Sequence, residues 1–286
     1  MIYRFLKSED FDAVYETFLE AFSDYQVKVQ MSKEQFEAMN IRRGLKYELS
    51  VGAFDDSNEM VGLLLTGLDL WEGKSTAYDM GTGVIPKFRR KGIGDNMVDF
   101  LLPALQKAKV KQYLLEVIRS NEKAHKLYKK KGFKETREFE CFKVSSAELR
   151  TKNTTRKNLI FEEIKKPAWN IFETFWDFRP SWQNSNNSMK RCQKEKIILG
   201  VFHKKQLQGY GILYPESGEI TQIAIDKDAR RRGIGSLLMR EIAKRAEKAE
   251  TLFILNVEKS SKETISFLKE ANFENSIGQY EMILKL

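Results

Sequence analysis

Arg89-Arg90-Lys91-Gly92-Ile93-Gly94 is the stretch that decides how this chain of 286 residues is organised. Apolar, strand-like residues precede it up to Ile85, and apolar residues repeat at the spacing of one helical face after it. A helix N-terminus offers free backbone N–H groups and a positive dipole end, and glycines let the backbone come close to a ligand. We therefore expect this turn to bind an anion, and a pyrophosphate fits these requirements.

The turn occurs twice, because Arg230-Arg231-Arg232-Gly233-Ile234-Gly235 stands in the same setting in the second half. Each half reads as a strand, helices, three strands, a helix, a strand, a helix and a final strand. The sequence predicts an α/β (α+β) fold of two tandem domains, residues 1–145 and 159–286, each a mixed, mostly antiparallel sheet flanked by helices. The polar run 146–158 has no apolar period and is predicted to be the linker.

The composition of the chain limits the class of protein and the cellular compartment that we expect. With 42% hydrophobic and 31% charged residues the chain is a globular protein. Two cysteines and two histidines, in no ligand spacing, predict no metal site and reduced thiols. The N-terminus lacks a signal-peptide core, and no run of about 18 apolar residues occurs, so we expect a cytoplasmic protein that is neither exported nor embedded in a membrane.

The formal charge of +9 raises the question of nucleic acid. Much of the basic density lies in the two arginine turns, in the helix 123–131 and in the linker. The chain shows no recognised nucleic-acid motif and no ladder of aromatic residues for stacking bases. We therefore predict no nucleic-acid partner.

Other phosphate motifs do not fit the turn. It lacks the Gly-Lys-Ser/Thr ending of a P-loop, and Met97 stands where a dinucleotide fingerprint has a third glycine or alanine. Taken alone, the turn could equally be a charged helix N-terminus with a tight entry and no ligand.

A second constellation follows downstream. Asn121 opens a predicted helix, Tyr128 lies on its inner face, and Gly132-Phe133 closes it. With these residues the sequence resembles the GNAT acetyltransferase superfamily in a tandem arrangement, and the resemblance spans both halves. It implies that the two turns bind the pyrophosphate of acetyl-CoA, that Asn121 holds the pantetheine arm, and that Tyr128 is the general acid.

The resemblance assigns cofactor contacts in both halves. The residues are Val84, Ile85, Arg89, Arg90, Lys91, Gly92, Ile93, Gly94 and Asn121 in the first half, and Ile225, Arg230, Arg231, Arg232, Gly233, Ile234 and Gly235 in the second.

Acetyl transfer to an amine needs a neutral amine, a polarised carbonyl and a proton for the departing thiolate. A tyrosine pKa of about 10 and a thiol pKa of about 8.5 make Tyr128 a suitable donor to sulfur. Backbone N–H groups near Val84 would polarise the thioester oxygen. Asp79 and Glu116 are the two candidates for the base that takes the amine proton; either could also be a strand carboxylate facing solvent.

The second half departs from this pattern. Ser261, Leu268 and Asn272 stand where Asn121, Tyr128 and Gly132 do in the first half, and Asn256 replaces Glu116. Leucine cannot donate a proton, so we expect the first half to be the active one.

Two rivals stay open: the same chemistry in the second half, and a non-catalytic acyl-CoA-binding module. The acceptor amine is also open between a polyamine, an aminoglycoside, a small metabolite and a protein N-terminus. The segment 22–47 and the hairpin around residues 71–78 are predicted to shape its pocket.

Overall fold

A computed structural model describes residues 1–24, 30–152, 158–192 and 196–286. Residues 153–157 of the predicted linker and residues 25–29 of the predicted acceptor segment lie outside these ranges. The predicted α/β class with two repeated halves is confirmed, because helices flank one large mixed sheet.

The strands of the described residues are β1 (Ile2–Phe5), β2 (Val51–Phe54), β3 (Met60–Trp71), β4 (Lys74–Val84), β5 (Gln112–Ile118), β6 (Lys134–Ser145), β7 (Leu159–Glu163), β8 (Ile197–His203), β9 (Gln206–Tyr214), β10 (Glu219–Ile225), β11 (Thr251–Glu258) and β12 (Glu274–Lys285). The α-helices are α1 (Phe11–Ala21), α2 (Lys33–Arg43), α3 (Ile93–Lys107), α4 (Glu122–Lys130), α5 (Trp169–Phe175), α6 (Asn186–Arg191), α7 (Ile234–Arg245) and α8 (Lys262–Glu270).

Local sequence signals explain most of these bounds. Ser32 caps α2, with its hydroxyl accepting from the Gln35 N–H group, and Gly44 ends that helix in the left-handed region. Gly132, at φ +92°, follows α4 as its predicted C-terminal glycine. Pro103 lies inside α3, which continues to Lys107 and therefore does not end at the proline.

The two halves share one sheet with the strand order β1-β2-β3-β4-β5-β12-β6-β11-β10-β9-β8-β7. The last strand of each half lies inside the sheet of the other half. Strand β12 pairs with β5 and β6, and β6 pairs with β12 and β11, all antiparallel. Each exchanged strand therefore has only strands of the other half as neighbours. The predicted domain boundary at residue 145 divides the chain, but it does not divide the sheet.

Each half has a core on both faces of the sheet. In the first half, side chains of α3 and α4 pack on one face with Tyr113 and Leu115 of β5. Side chains of α1 and α2 pack on the opposite face with Tyr78 of β4 and Leu114 of β5. Because successive side chains of a strand point to opposite faces, neighbouring residues of β4 and β5 belong to different cores.

An ion pair joins α2 to the second half. Arg42 at the end of α2 donates to both carboxylate oxygens of Glu219, at 2.7 and 2.8 Å, and to the Gln183 carbonyl at 2.9 Å. Both side chains are nearly enclosed, with 11% and 13% of their surfaces exposed. A buried charge without its partner is strongly unfavourable, so this pair fixes the orientation of α2 against the second half.

Within the described ranges, no helix is long and apolar enough to cross a membrane.

Strand exchange predicts that the halves fold only together. Residues 1–150 expressed alone should aggregate, because β6 would lose both neighbouring strands and leave unpaired backbone edges. Co-expression with residues 151–286 should give a soluble one-to-one complex, as measured by size-exclusion chromatography with light scattering. A monomeric fragment 1–150 with cooperative thermal unfolding would contradict the prediction.

Candidate active site

The site begins where β4 and β5 separate. These parallel strands pair only at Thr76–Gln112, Ala77–Tyr113 and Tyr78–Leu114. A bulge at Met80 then interrupts the pairing of β4 with β3, between Gly81 and Asp79. Bulges bend a strand and increase its twist. The result is a gap between β4 and β5 immediately beyond Tyr78.

Asp79 and Tyr128 meet on the α3/α4 face of this gap. The Tyr128 hydroxyl donates to Asp79 Oδ2 at 2.9 Å, and both side chains are 7% exposed. Asp79 also accepts from the Thr82 hydroxyl at 2.7 Å and from the Gly81 N–H group at 3.0 Å. Burial raises the pKa of the Asp79 carboxyl, and these hydrogen bonds partly offset the rise.

Glu116 lies on the opposite face, with the core of α1 and α2. It is two residues beyond Leu114 on β5, and its Oε2 accepts a hydrogen bond from the Tyr78 hydroxyl. Its Oε1 is buried and has no hydrogen-bond partner among the described residues. The two base candidates, Asp79 and Glu116, therefore approach the gap from different faces of the sheet.

Burial raises the pKa of the Glu116 carboxyl to about 7. The carboxylate of Glu281 contributes to this rise, because β12 places it directly opposite Glu116 in the antiparallel ladder. Three groups act in the other direction: the Tyr78 hydroxyl and the guanidinium groups of Arg43 and Arg137. A carboxyl with a pKa near 7 exchanges protons readily at physiological pH.

Backbone N–H groups line the β4 side of the gap. Ile85 donates its N–H group to the Val61 carbonyl at 3.0 Å, so this N–H group is already used within the sheet. Successive N–H groups of a strand point to opposite sides, so the Val84 N–H group points toward β5, where the pairing of the two strands has already ended. Val84, rather than Ile85, thus offers a donor to a group in the gap.

The predicted anion turn has the shape of a backbone nest. Arg90 has φ +64° and Gly92 has φ +73°, and α3 begins at Ile93, whose side chain is buried in the core. The N–H groups of the first helical turn converge at this point. Arg90 and Lys91 are exposed beside it, so their charges can reach an anion bound there. The second turn repeats the conformation, with Arg231 at φ +58° and Gly233 at φ +79°.

The two turns differ in the space around the second glycine, which is Gly94 in the first turn. Its φ is not in the left-handed region, and a Cβ atom there would meet only Leu127 Cδ1, at 4.0 Å. The surrounding protein does not require a glycine at this position. A ligand that approached the backbone closely would require one. At the equivalent Gly235, the ring of Phe267 comes within 3.2 Å of that Cβ position. The first turn is thus open where a side chain of the protein covers the second.

The guanidinium groups of Arg89 and Arg230 are hydrogen-bonded within the protein. The Arg89 guanidinium donates to the Val84 carbonyl at 2.9 Å, the Ala21 carbonyl at 2.9 Å and Asp24 at 2.7 Å. The equivalent bonds of Arg230 are to the Ile225 carbonyl at 3.1 Å, the Phe175 carbonyl at 2.8 Å and Asp177 at 2.6 Å. In both halves this arginine joins the end of the first helix to the end of the fourth strand, so its guanidinium is engaged by the protein.

Asn121 is the N-cap of α4. Its Oδ1 accepts from the Ala124 N–H group at 3.2 Å, which places the helix start beside the gap. The equivalent Ser261 accepts no capping hydrogen bond; its hydroxyl instead donates to the Thr264 hydroxyl at 2.9 Å.

The second half has a gap of its own but a different lining. β10 and β11 pair only at Glu219–Phe253, and a pocket of ≈ 50 Å³ lies beyond this pair. Strand pairing aligns Ile220 with Asp79, and Leu268 replaces Tyr128; both are fully buried in the apolar core. Asn256 replaces Glu116 and donates to the Ser181 hydroxyl at 3.1 Å. Each of the three titratable groups of the first gap is thus replaced by one that does not titrate.

Sequence reasoning missed three residues that contact this site: Tyr78, Thr82 and Glu281. Tyr78 and Thr82 lie on the same strand as Asp79, but strict alternation places both on the face opposite Asp79, and only the bulge at Met80 brings Thr82 to it. Glu281 comes from the last strand of the other half, and no local pattern points to its position opposite Glu116.

Comparisons with known proteins show a family match in each half of the chain and a shared fold over its length. The family model described as "Acetyltransferase (GNAT) family" matches residues 11–133 and again 161–273. No curated protein matches the sequence significantly.

Among solved structures, a GCN5-related N-acetyltransferase from Sphaerobacter thermophilus is similar, with a TM-score of 0.76 and 14% identity over 99% of this chain and 95% of that one. A tandem GNAT protein from the clavulanic acid biosynthesis pathway has a TM-score of 0.76 and 13% identity over 99% of this chain and 98% of its own. At such low identity these likenesses show a shared fold.

The geometry around Glu116 predicts how its protonation responds to its neighbours. The wild-type Glu116 carboxyl should titrate near 7, and Glu281→Gln should lower its pKa, because the opposing carboxylate is removed while the Arg137 guanidinium stays. Carbon-13 NMR of the glutamate carboxyl groups measures this, with Glu116→Gln identifying the resonance. An unchanged midpoint in Glu281→Gln would contradict the prediction.

Proposed function

The chain belongs to the GNAT acetyltransferase family and is an acyltransferase, and from that premise we propose that its N-terminal half transfers an acetyl group from acetyl-CoA to an amine. The amine attacks directly while both substrates are bound. The observation that carries the proposal is the gap between β4 and β5. One titratable pair, Asp79–Tyr128, reaches this gap from the α3/α4 face, and Glu116 reaches it from the α1/α2 face.

The turn before α3 fits the phosphates of acetyl-CoA. Support comes from the convergent N–H groups, from the open space at Gly94 and from the exposed charges of Arg90 and Lys91. When bound, acetyl-CoA supplies the activated acetyl thioester. We assign Arg89 a positioning role, because its guanidinium holds the turn against the end of α1. Asn121, at the start of α4, is assigned to the pantetheine arm.

Glu116 is our choice for the general base. Its Oε1 has no protein partner among the described residues, and its pKa of about 7 lets it take a proton at neutral pH. An alkylamine with a pKa near 10.4 is only about one part in a thousand neutral at pH 7.4, so a base adds to the rate. Glu116 serves in its deprotonated form, which is populated above its pKa.

Tyr128 is our choice for the general acid, with Asp79 orienting it. The three hydrogen bonds that Asp79 accepts from Tyr128, Thr82 and Gly81 occupy its oxygens on the α4 face. We therefore assign Asp79 to hold the Tyr128 hydroxyl at the gap rather than to take the amine proton. The Val84 N–H group donates to the carbonyl oxygen on which negative charge develops.

Two rivals make different predictions. If the second half is the active one, Gly233→Glu abolishes turnover and Tyr128→Phe leaves it intact. If the chain only binds acyl-CoA, acetyl-CoA binds but no amine accelerates thiol release. The replacement of Asp79, Tyr128 and Glu116 by Ile220, Leu268 and Asn256 favours the first half over the second. The acceptor stays a small-molecule or peptide amine, and the cytoplasmic location stays a prediction.

Glu116→Gln tests the base directly. Wild-type kcat/KM should rise with pH through an apparent pKa near 7, and the variant should lose this limb together with about 10²–10⁴-fold of activity. Tyr128→Phe should lose activity at all pH values, because the departing thiolate loses its donor. The measurement is thiol release from acetyl-CoA with a panel of amines. An active Glu116→Gln enzyme with an unchanged pH profile would rule out Glu116 as the base.

A matched pair of glycines tests the phosphate turn. Gly92 and Gly73 have φ of +73° and +74°, and a Cβ atom would meet nothing within 4 Å at either one. Replacement by alanine should cost roughly 1–2 kcal/mol of stability at both positions. Only Gly92→Ala should weaken acetyl-CoA binding, as measured by isothermal titration calorimetry beside thermal unfolding. Equal affinities in both variants would show that the turn does not bind the cofactor.

A further inference from the structure

A turn of the second half lies inside the first half beside the candidate base. It consists of Trp182, Gln183 and Asn184, which are 1%, 6% and 2% exposed. Trp182 belongs to the apolar core of α1 and α2 rather than to either core of its own half. The chain thus places a buried aromatic residue of one half in the catalytic face of the other.

The Trp182 ring stacks on Tyr78. The ring centroids are 5.0 Å apart and the planes differ by 12°. Trp71 packs against the same indole at 5.8 Å. Tyr78 is the residue whose hydroxyl donates to Glu116, so the stacked indole limits the directions in which that hydroxyl can point.

The same turn also fixes the end of α2. The Trp182 indole N–H group donates to the Arg43 carbonyl at 2.9 Å, and the Gln183 side chain accepts from the Arg43 guanidinium at 2.5 Å. That guanidinium also donates to the carbonyl of Met80, the bulged residue of β4, at 3.3 Å. Trp182 therefore touches both groups that bracket the gap on this face, the Tyr78 ring and the arginine that binds the bulge.

We propose that Trp182, supplied by the C-terminal half, is a positioning residue for the catalytic base of the N-terminal half. It holds the Tyr78 ring so that the phenol keeps its hydrogen bond to Glu116 Oε2 and leaves Oε1 for the amine. This inference rests on the proposed function, since it assigns Glu116 as the base. It gives the second half a share in catalysis that does not depend on its own gap.

The test uses the full chain and a control from the second half. Phe172 is 1% exposed and stacks on Tyr210 at 3.7 Å and 13°, so Phe172→Leu removes a comparable aromatic pair from a site without a carboxylate base. Trp182→Leu should lower kcat about tenfold at pH 7 and leave the KM for acetyl-CoA unchanged. Phe172→Leu should leave both unchanged, and Trp182→Phe, which retains a ring, should recover most of the loss.

The pH profile separates positioning from packing. The charged and titratable groups near Glu116 are Tyr78 of β4, Arg43 of α2, Glu281 of β12, and Arg137 and Cys141 of β6. Of these, the Tyr78 hydrogen bond lowers the Glu116 pKa, so its loss in Trp182→Leu should move the acid limb of kcat/KM to higher pH.

Tyr78→Phe should cause the same shift, and the double variant should add little to it. An acid limb that stays in place in a folded Trp182→Leu protein, or shifts that add in the double variant, would overturn the proposal. If Trp182→Leu does not fold, the same comparison is made with Trp182→Met, which is also apolar and lacks a ring, and Tyr78→Phe. Failure of the proposed function is distinguishable, because Glu116→Gln would then keep its activity.

Discussion

The pairing of β4 with β5 stops after three residue pairs, and the mechanism that we propose depends on that stop. Parallel strands that continued to pair would use the Val84 N–H group in the ladder and leave no room for a ligand. The bulge at Met80 turns β4 away, and the glycines at 81 and 83 let the end of α1 pack closely on it. Asp79 with its partner Tyr128, and Glu116 with its partner Tyr78, are held by the two strands that border this gap.

The second constraint is the exchange of β6 and β12. Because each strand has only strands of the other half as neighbours, the sheet is continuous and the halves keep a fixed orientation. This brings Glu281 opposite Glu116 and allows the Trp182 turn to enter the first half. Two repeated halves thereby become one molecule, in which a half whose own gap lacks the three titratable groups can still shape the candidate site of the other half.

The two halves share some features of the fold and differ in others. Both halves keep the arginine that joins the first helix to the fourth strand, and both keep the positive-φ turn that follows it. They differ at the gap itself, where the second half has Ile220, Leu268 and Asn256. They also differ at the turn, where the Phe267 ring of the second half approaches Gly235. The shared arginine joins elements of the fold, and the differences mark where the chemistry is expected.

The sequence by itself determined the α/β class, the repeat and the loss of the tyrosine in the second half, because these follow from local periodicity and from residue identity. The order of the elements could be predicted for the same reason. Asn121, Tyr128 and the glycines of the turn could be predicted as candidate site residues because their spacing along one helix or turn is local.

Only the tertiary structure decided the positions and contacts of the remaining residues. It separated Asp79 from Glu116 by placing them on opposite faces of the sheet, and it engaged the Arg89 guanidinium with Asp24 and two carbonyl groups. It also brought Trp182 and Glu281 to the site from the other half. The physical reason is that strand pairing joins residues far apart in the chain, and a local pattern does not specify which strands become neighbours.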